Sequence, residues 1–133
     1  MLPKLAYENQ LLTAFEIARS IARDHRHGTF SGSHLLRALM HEDVDLAPRL
    51  EEWGIDVLFI KEWADYRISE YPKSMTVTEE PEPDEGVVKL MEFADMIRLK
   101  ISEKKITPIA ALIALCRQDI VYTEDQLRSL PLT

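Results

Sequence analysis

Apolar residues recur at intervals of three and four along the first part of the chain. Between Asn9 and Arg26 they form one stripe, with Ile17 beside it and charged residues opposite; its members are Leu11, Leu12, Phe15, Ala18, Ile21 and Ala22. This spacing predicts an amphipathic helix. Gly28 is expected to end that helix, and Ser31 is expected to cap a short second helix through Met40.

Two more helices are predicted before the pattern breaks. One begins near Asp45 and stops before Gly54, and its first turn can accommodate Pro48. The next is capped by Asp56 and reaches about Ser69. The aromatic residues of this region lie on helical faces and are expected in the core: Trp53, Phe59 and Trp63.

The segment 70–85 has no helical spacing. It contains three prolines, and five of the seven residues between Glu79 and Glu85 are acidic. Such a composition predicts an exposed connector that is long for a compact domain. Attraction of a basic peptide to these acidic residues is a less favoured alternative.

Helical spacing resumes at Val87 and continues to Ile101. Thr107 followed by a proline is a strong helix-start signal, because proline suits the first helical position. The helix that it opens is apolar on nearly every side, so it must be enclosed by other helices or face a partner. Thr123 and Gln126 then form a capping box for a last short helix, which is expected to reach Leu130.

The sequence aligns with itself at an offset of 76 residues. Residues 13–40 match residues 89–116 without a gap, with six identities, and eleven of the twelve apolar positions of the first copy are apolar in the second. The two predicted caps, Ser31 and Thr107, coincide in this alignment. Two amphipathic helix pairs can resemble each other by chance, but the shared caps and the absence of gaps favour a duplication.

These patterns predict an all-α fold, a bundle of seven to eight helices made of two tandem repeats related by a pseudo-twofold axis. Residues 1–133 form a single domain, with repeat one at about 8–69, the acidic connector at about 70–85 and repeat two at about 86–130. Neither repeat can bury its apolar face alone, so the two are expected to pack together.

Charge and cysteine content narrow the functional classes. The 133 residues include 16 basic and 23 acidic side chains, a net charge of −7, which argues against nucleic acids and anionic membranes as partners. Cys116 is the only cysteine, so no intrachain disulfide can form and a reducing compartment is expected. Without a signal-peptide pattern or a membrane-spanning apolar run, we expect a cytoplasmic protein.

Candidate chemistry is sparse. The four glycines cannot form a phosphate-binding loop, so ATP is not expected to bind here through such a loop. Cys116 lies on the most apolar helix and is expected to be a buried core residue. Capping and packing roles are favoured over a metal site for the four histidines, which are His25, His27, His34 and His41. We therefore expect no catalytic residue, no metal and no cofactor in this domain, and a helical enzyme that uses His27, His34 or Cys116 is the least favoured reading.

The stretch from Phe15 to Leu39, with its run His34-Leu35-Leu36-Arg37-Ala38-Leu39, resembles the first repeat of the Clp N-terminal domain. The segment 46–56, which ends in Gly-Ile-Asp, is similar to the next element of that family. The second repeat departs from the pattern, with Ala110 and Ala111 in place of the histidine and the first leucine. The resemblance extends over about residues 8–130.

This resemblance implies eight helices in two pseudo-symmetric halves and a binding role for a protein, peptide or adaptor helix. The domain would stand at the front of a hexameric AAA+ unfoldase or disaggregase chaperone, and would itself be a monomer when isolated. ATP and Mg²⁺ would bind only in ATPase modules outside this chain. Within the family the chain also resembles the ClpV-type ATPases of type VI secretion, which take a helix of the contracted sheath, while general-purpose disaggregases and protease-associated unfoldases stay open as alternatives.

Apolar residues at and before the start of repeat one suggest where a partner would bind. Leu2, Leu5, Tyr7 and Leu11 exceed what the duplicated unit needs. They can pack on the core as an extra helix, or they can wall a groove that takes an amphipathic helix. For the second possibility the predicted contact residues are Leu5, Leu11, Leu12 and Phe15. A freestanding double-repeat adaptor or scaffold with no attached ATPase is the alternative function.

Overall fold

The computed structural model describes residues 2–76 and 78–130, and nearly all of its regular structure is helical. The helices of the first half are α1 (Asn9–Asp24), α2 (Gly32–Leu39), a 3-10 helix (Glu42–Val44), α3 (Ala47–Glu52) and α4 (Val57–Ser69). Those of the second half are α5 (Glu85–Lys100), α6 (Pro108–Leu115) and α7 (Glu124–Leu127). Seven α-helices in the described ranges confirm the all-α prediction.

The duplication is visible in the helix boundaries. Helices α1 and α5 each have 16 residues, and α2 and α6 each have 8. They start at residues 9 and 85, and at 32 and 108, so each pair is separated by the same 76 residues. The side chains of Ser31 and Thr107 both accept a backbone N–H at the start of a short helix, as predicted. The predicted pair of tandem repeats is therefore confirmed.

Two short backbone pairings join the repeats. Strand β1 (Thr29–Phe30) pairs in parallel with β2 (Glu82–Pro83), and a single bridge pairs Tyr7 with Ile106. The backbone N–H of Asp84 donates to the carbonyl of Phe30 over 3.0 Å, and that of Glu8 donates to Ile106 over 2.9 Å. The 76-residue offset relates these two bonds to each other. Each long helix therefore begins beside the residue that precedes the short helix of the other repeat.

One hydrophobic core extends through both repeats. The long helices contribute fully buried residues at three- and four-residue spacing, among them Leu11, Phe15, Ala18, Leu90, Met91 and Ala94. The short helices lie inside the bundle and are buried nearly all round, as predicted for the apolar α6. Burying a large apolar side chain stabilises a fold by about 1.5–3 kcal/mol. Most of the stability therefore comes from this shared core.

Two aromatic residues that the sequence pattern placed in the core lie at the surface. Trp53 is 62% exposed and Phe59 is 46% exposed, so the prediction is wrong for both. The buried stripe of α4 consists of the aliphatic residues Val57, Ile60, Ala64 and Ile68, and Phe59 lies outside it. Trp63 is half-buried, and its ring meets Tyr122 edge-on and the Arg67 guanidinium at 4.2 Å.

The connector is not exposed along its whole length. Most of its described residues are at least partly exposed, but Pro81 and Pro83 are buried and Asp84 caps α5 through the Val87 N–H. The prediction of an exposed segment is wrong at the C-terminal end of the connector, because the strand pairing with repeat one buries these two prolines. The first helix also stops earlier than predicted, because Arg26 adopts a positive φ of 59°.

The end of repeat two packs directly on the start of α2. A Cβ atom added at Gly32 would clash with Cγ1 of Val121 and would lie 3.0 Å from its Cγ2. One residue further along each segment, the hydroxyls of Ser33 and Tyr122 form a buried hydrogen bond of 2.6 Å. Gly32 is therefore required by a close approach between the two repeats.

Replacing Gly32 with alanine should destabilise the fold by about 1–3 kcal/mol, because the stiff Val121 side chain has to move. Urea or thermal unfolding measures this change. The control is Gly28→Ala, whose added Cβ meets only the Thr78 hydroxyl at 4.0 Å and should change stability by less than about 0.5 kcal/mol. Equal stability of the two variants would contradict the close approach.

Candidate functional site

A groove of about 640 Å³ lies along α1. Helix α1 lines it with residues at three- and four-residue spacing, which are Thr13, Glu16, Ile17, Ser20, Ile21 and Asp24, followed by His25. The opposite side is formed by Arg37 of α2, His41 just beyond it and Asp65 of α4. We call this cavity the α1 groove. It lies entirely within repeat one.

Two adjacent apolar stripes on α1 explain the groove. One stripe is fully buried in the core and includes Leu11, Phe15 and Ala18. The other consists of Ile17 and Ile21, which are half-buried and pack against the edge of the core. Their remaining surface forms the apolar floor of the groove. A partner that covers this floor would gain hydrophobic free energy in proportion to the area that it removes from water.

The rim of the groove is charged but balanced. Three carboxylates line it, those of Glu16, Asp24 and Asp65, and they are ion-paired with Arg19, Arg23 and Arg37 in that order. Arg37 Nε lies 3.1 Å from Asp65 Oδ1, so this pair joins α2 to α4 on the side opposite α1. With each carboxylate paired, the apolar floor is the part of the groove from which a partner would gain binding free energy.

The structure does not bring the four predicted contact residues to one surface. Leu11 and Phe15 are 0% and 1% exposed, so they have no surface free for a partner. Leu12 is 43% exposed but is not among the groove lining, and Leu5 is half-buried against the core. A binding role for these residues stays a prediction. The sequence signal for the groove was Ile17, the apolar residue beside the main stripe.

The segment before α1 packs on the core in an extended form rather than as a helix. The ring of Tyr7 meets that of Phe15 edge-on at 5.3 Å, and its hydroxyl donates to the Pro3 carbonyl over 2.6 Å. Burial, with a smaller contribution from the negative Asp95, raises the pKa of Tyr7 to about 12. Together with the bridge to Ile106, these contacts make the segment part of the scaffold.

Two histidines form a buried pair below the start of α2. His27 Nδ1 lies 2.8 Å from His34 Nε2, while His34 Nδ1 accepts the Ser31 N–H over 2.9 Å and completes a capping box. An acceptor at Nδ1 places the His34 proton on Nε2, which therefore donates to His27. The predicted capping role is confirmed for His34, and for His41, which accepts from the Asp43 N–H.

The sequence offered two other candidate chemistries, a metal site and a nucleophilic cysteine. In residues 2–76 and 78–130, no three His, Cys, Asp or Glu side chains come close enough together to hold a metal ion. Burial raises the pKa of the Cys116 thiol to about 11, which keeps it protonated at neutral pH and disfavours a nucleophilic role.

No described helix is both long and apolar enough to cross a bilayer.

The chain folds as a doubled helical repeat, with an open groove of apolar floor in its first half. The family model described as the Clp repeat (R) N-terminal domain matches residues 6–130, and the chain belongs to this family. A comparison with curated proteins found no relative.

Solved structures share the fold at low sequence identity. The N-domain of ClpV from Vibrio cholerae is 22% identical, with a TM-score of 0.74 over 94% of this chain and 75% of its own. A complex of a ClpV N-domain with a VipB peptide is also 22% identical, with a TM-score of 0.73 over 98% and 82%. The Hsp104 N-terminal domain from Candida albicans is 11% identical, with a TM-score of 0.72 over 93% and 87%.

Buried histidines make the stability of the fold depend on pH. Burial lowers the pKa of both residues, and that of His34 falls to about 3, with a further contribution from the adjacent His27. In the unfolded chain a histidine titrates near 6.5. Between that pH and about 3, His34 binds a proton in the unfolded chain but stays neutral in the folded one. The stabilisation is therefore complete above pH 6.5 and is lost as the pH falls towards 3.

We expect the free energy of unfolding to drop by about 2 kcal/mol between pH 7 and pH 5, a window above the titration of ordinary carboxylates. Urea unfolding at a series of pH values measures this drop. His34→Gln should be less stable at pH 7, but its free energy of unfolding should depend much less on pH. His25→Gln, at an exposed position, should keep the pH dependence of the native chain. An unchanged slope in His34→Gln would show that other groups cause the pH dependence.

Proposed function

We propose that this chain is the substrate- or adaptor-binding N-terminal domain of a Clp-type AAA+ unfoldase, and that the α1 groove binds an amphipathic helix. The observation that carries the proposal is the apolar floor of Ile17 and Ile21, on a fold that belongs to the Clp repeat N-terminal domain family. The solved complex of a ClpV N-domain with a VipB peptide supports a peptide as the partner.

The groove suits a helix because of its length and chemistry. Its lining on α1 extends from Thr13 to His25, which is about three turns of helix. A partner helix with apolar residues at i, i+3 or i+4, and i+7 would lay them on Ile17 and Ile21. Polar residues flanking that apolar stripe would then meet the ion pairs of the rim. Such a contact is small, so we expect weak binding by a single domain.

We propose type VI secretion as the setting, with a sheath component as the partner. Two further likenesses support this choice, those to the ClpV1 N-terminal domain from the Sci1 type VI secretion system of E. coli EAEC and to a structure that includes a peptide of the SciI protein from the same system. The parent protein would be a cytoplasmic hexamer, so that six weak sites act together with an avidity that one site lacks. ATP and Mg²⁺ would bind in its ATPase modules.

A peptide-binding measurement tests the groove. The probe is a fluorescent amphipathic helical peptide with a leucine stripe flanked by lysines, and fluorescence anisotropy reports its binding. Ser20→Tyr should weaken binding at least about tenfold, because the larger side chain fills the groove while the core stays intact. Ile17→Asp should act in the same direction.

Leu12→Asp is the matched control, because Leu12 is exposed on the same helix but outside the groove. It should leave the affinity unchanged. If Leu12→Asp abolishes binding while Ser20→Tyr does not, the partner uses the surface around Leu12 and the groove assignment is wrong. Circular dichroism of each variant checks that a lost signal does not come from unfolding.

Reading the coding sequence downstream of Thr133 tests the attachment to an unfoldase. We expect a phosphate-binding loop, Gly-x-x-x-x-Gly-Lys-Ser/Thr, in the same reading frame. A stop codon that comes before any such loop would instead favour the freestanding adaptor or scaffold. The peptide-binding result is independent of this outcome, because the groove lies wholly within the present chain.

A further inference from the structure

Arg67 of α4 differs from the other half-buried arginines in the part of the chain that the structure describes. Each of the others forms an ion pair with a carboxylate: Arg19 with Glu16, Arg23 with Asp24, Arg37 with Asp65 and Arg98 with Asp95. Among the same described residues, the side chain of Arg67 has no ion-pair or hydrogen-bond partner, and its Nε is buried. A guanidinium carries only N–H donors, so its whole hydrogen-bonding capacity is unused here.

Aromatic rings hold the Arg67 guanidinium in position. Its Cζ lies 4.2 Å from the centre of the Trp63 ring and 5.6 Å from that of Tyr122. The Trp63 ring is itself fixed, because its Nε1 donates to the Ser129 hydroxyl over 2.8 Å. Cation–π contacts stabilise the charge, but they provide no oxygen that could accept from the N–H groups. The guanidinium is therefore placed and still lacks an acceptor.

A cavity of about 380 Å³ adjoins Arg67, and we call it the Arg67 cavity. Besides Arg67, its lining comes from the end of α4 and from the segment after α6: Tyr66, Glu70, Tyr71, Val121, Tyr122 and Gln126. This volume is in the range of small-ligand sites, which is about 300–1,000 Å³. Glu70 lies in the wall but beyond ion-pairing distance of Arg67, so the cavity leaves room for an acceptor from outside.

The Arg67 cavity is separate from the α1 groove. Asp65 belongs to the groove lining, whereas Arg67 lies two residues further along α4, about 200° around the helix. The groove lies within repeat one, but Val121, Tyr122 and Gln126 of the Arg67 cavity belong to repeat two. A ligand in this cavity would contact both repeats and would leave the groove open.

We propose that the Arg67 cavity binds a carboxylate group of a polypeptide ligand. The N–H fork of a guanidinium matches the two oxygens of a carboxylate, and such charge-assisted bonds are among the strongest in proteins. Tyr66 and Val121 would cover the apolar carbons next to that carboxylate. Among the described residues of the lining, Arg67 alone is basic, and the chain has a net charge of −7. The site therefore suits one isolated carboxylate and not a polyanion.

Fluorescence of Trp63 tests the proposal, because the guanidinium lies against its ring. Trp53→Phe removes the other of the two tryptophans, an exposed residue, so Trp63 alone emits. Titration of this chain with the peptide acetyl-Ala-Glu-Ala-amide at constant ionic strength should change the emission in a saturable way. We expect half-saturation on the order of 1 mM, since the contact is small. The same peptide with glutamine in place of glutamate should cause no saturable change.

Three further substitutions in the Trp53→Phe chain locate the binding group. Arg67→Met should lose the response, because methionine keeps the apolar contact with Trp63 but has no donor. Arg117→Met is the matched control, since Arg117 lies 5.4 Å from the centre of the Phe93 ring but does not line the cavity. It should respond as the parent chain does. Glu70→Gln should bind about threefold more tightly, because it removes a like charge from the wall, and unfolding cannot produce such a gain.

Persistence of the response in Arg67→Met, or an equal response to the glutamine peptide, would overturn the proposal. Tighter binding of inorganic phosphate than of the glutamate peptide would overturn the choice of a carboxylate. The peptide acetyl-Ala-Ala-Ala with a free C-terminus separates the two sources of the group. If it binds more tightly than the glutamate peptide, the carboxylate is that of a chain end, and otherwise it is that of an acidic side chain. No response to either peptide would show that the cavity has no such ligand.

Ser20→Tyr keeps this inference separate from the proposed function. The substitution fills the α1 groove and touches no residue of the Arg67 cavity lining. It should therefore lose the amphipathic helical peptide and keep the response to acetyl-Ala-Glu-Ala-amide. Failure of the groove to bind its peptide would leave the carboxylate site standing, and the reverse also holds.

Discussion

The carbonyl of Phe30 accepts a hydrogen bond from the Asp84 N–H, and that of Ile106 accepts one from the Glu8 N–H. Each long helix is thereby attached at its start to the other repeat, in front of that repeat's short helix. The reciprocal attachment sets the relative position of α1 and α6, and of α5 and α2, and so encloses a short helix that has almost no polar face. The shared core follows from this arrangement.

The difference between the repeats gives the molecule its groove. Repeat one continues into α3 and α4, and α4 supplies Asp65 to the wall opposite α1. In repeat two the described chain after α6 contains only α7, with four residues. Equivalent positions on α1 and α5 thus lie in a walled groove in one half and on an open apolar face in the other. Duplication followed by this divergence produced two distinct surfaces from one helix pattern.

Much of the helical architecture could be predicted from the sequence, because caps and helical spacing are local signals. Ser31, Asp56, Thr107 and Thr123 cap helices where expected. The exposure of Trp53 and Phe59 could not be predicted, since helical spacing does not show which of two apolar stripes the rest of the chain covers. The same ambiguity on α1 directed the site prediction to Leu11 and Phe15 instead of Ile17. Strands of two residues have no periodicity, so the crossed pairings left no signal.

The crossed pairings also affect how the protein is made. On the ribosome, Tyr7 and Phe30 emerge long before Ile106 and Pro83, the residues with which they pair. Helices α1, α2 and α4 can pack on one another early, but the parts of α1 and α2 that contact α5 and α6 stay uncovered until the second repeat has been synthesised. The crossed pairings and the shared core can therefore be completed only late in synthesis, after the second repeat has emerged.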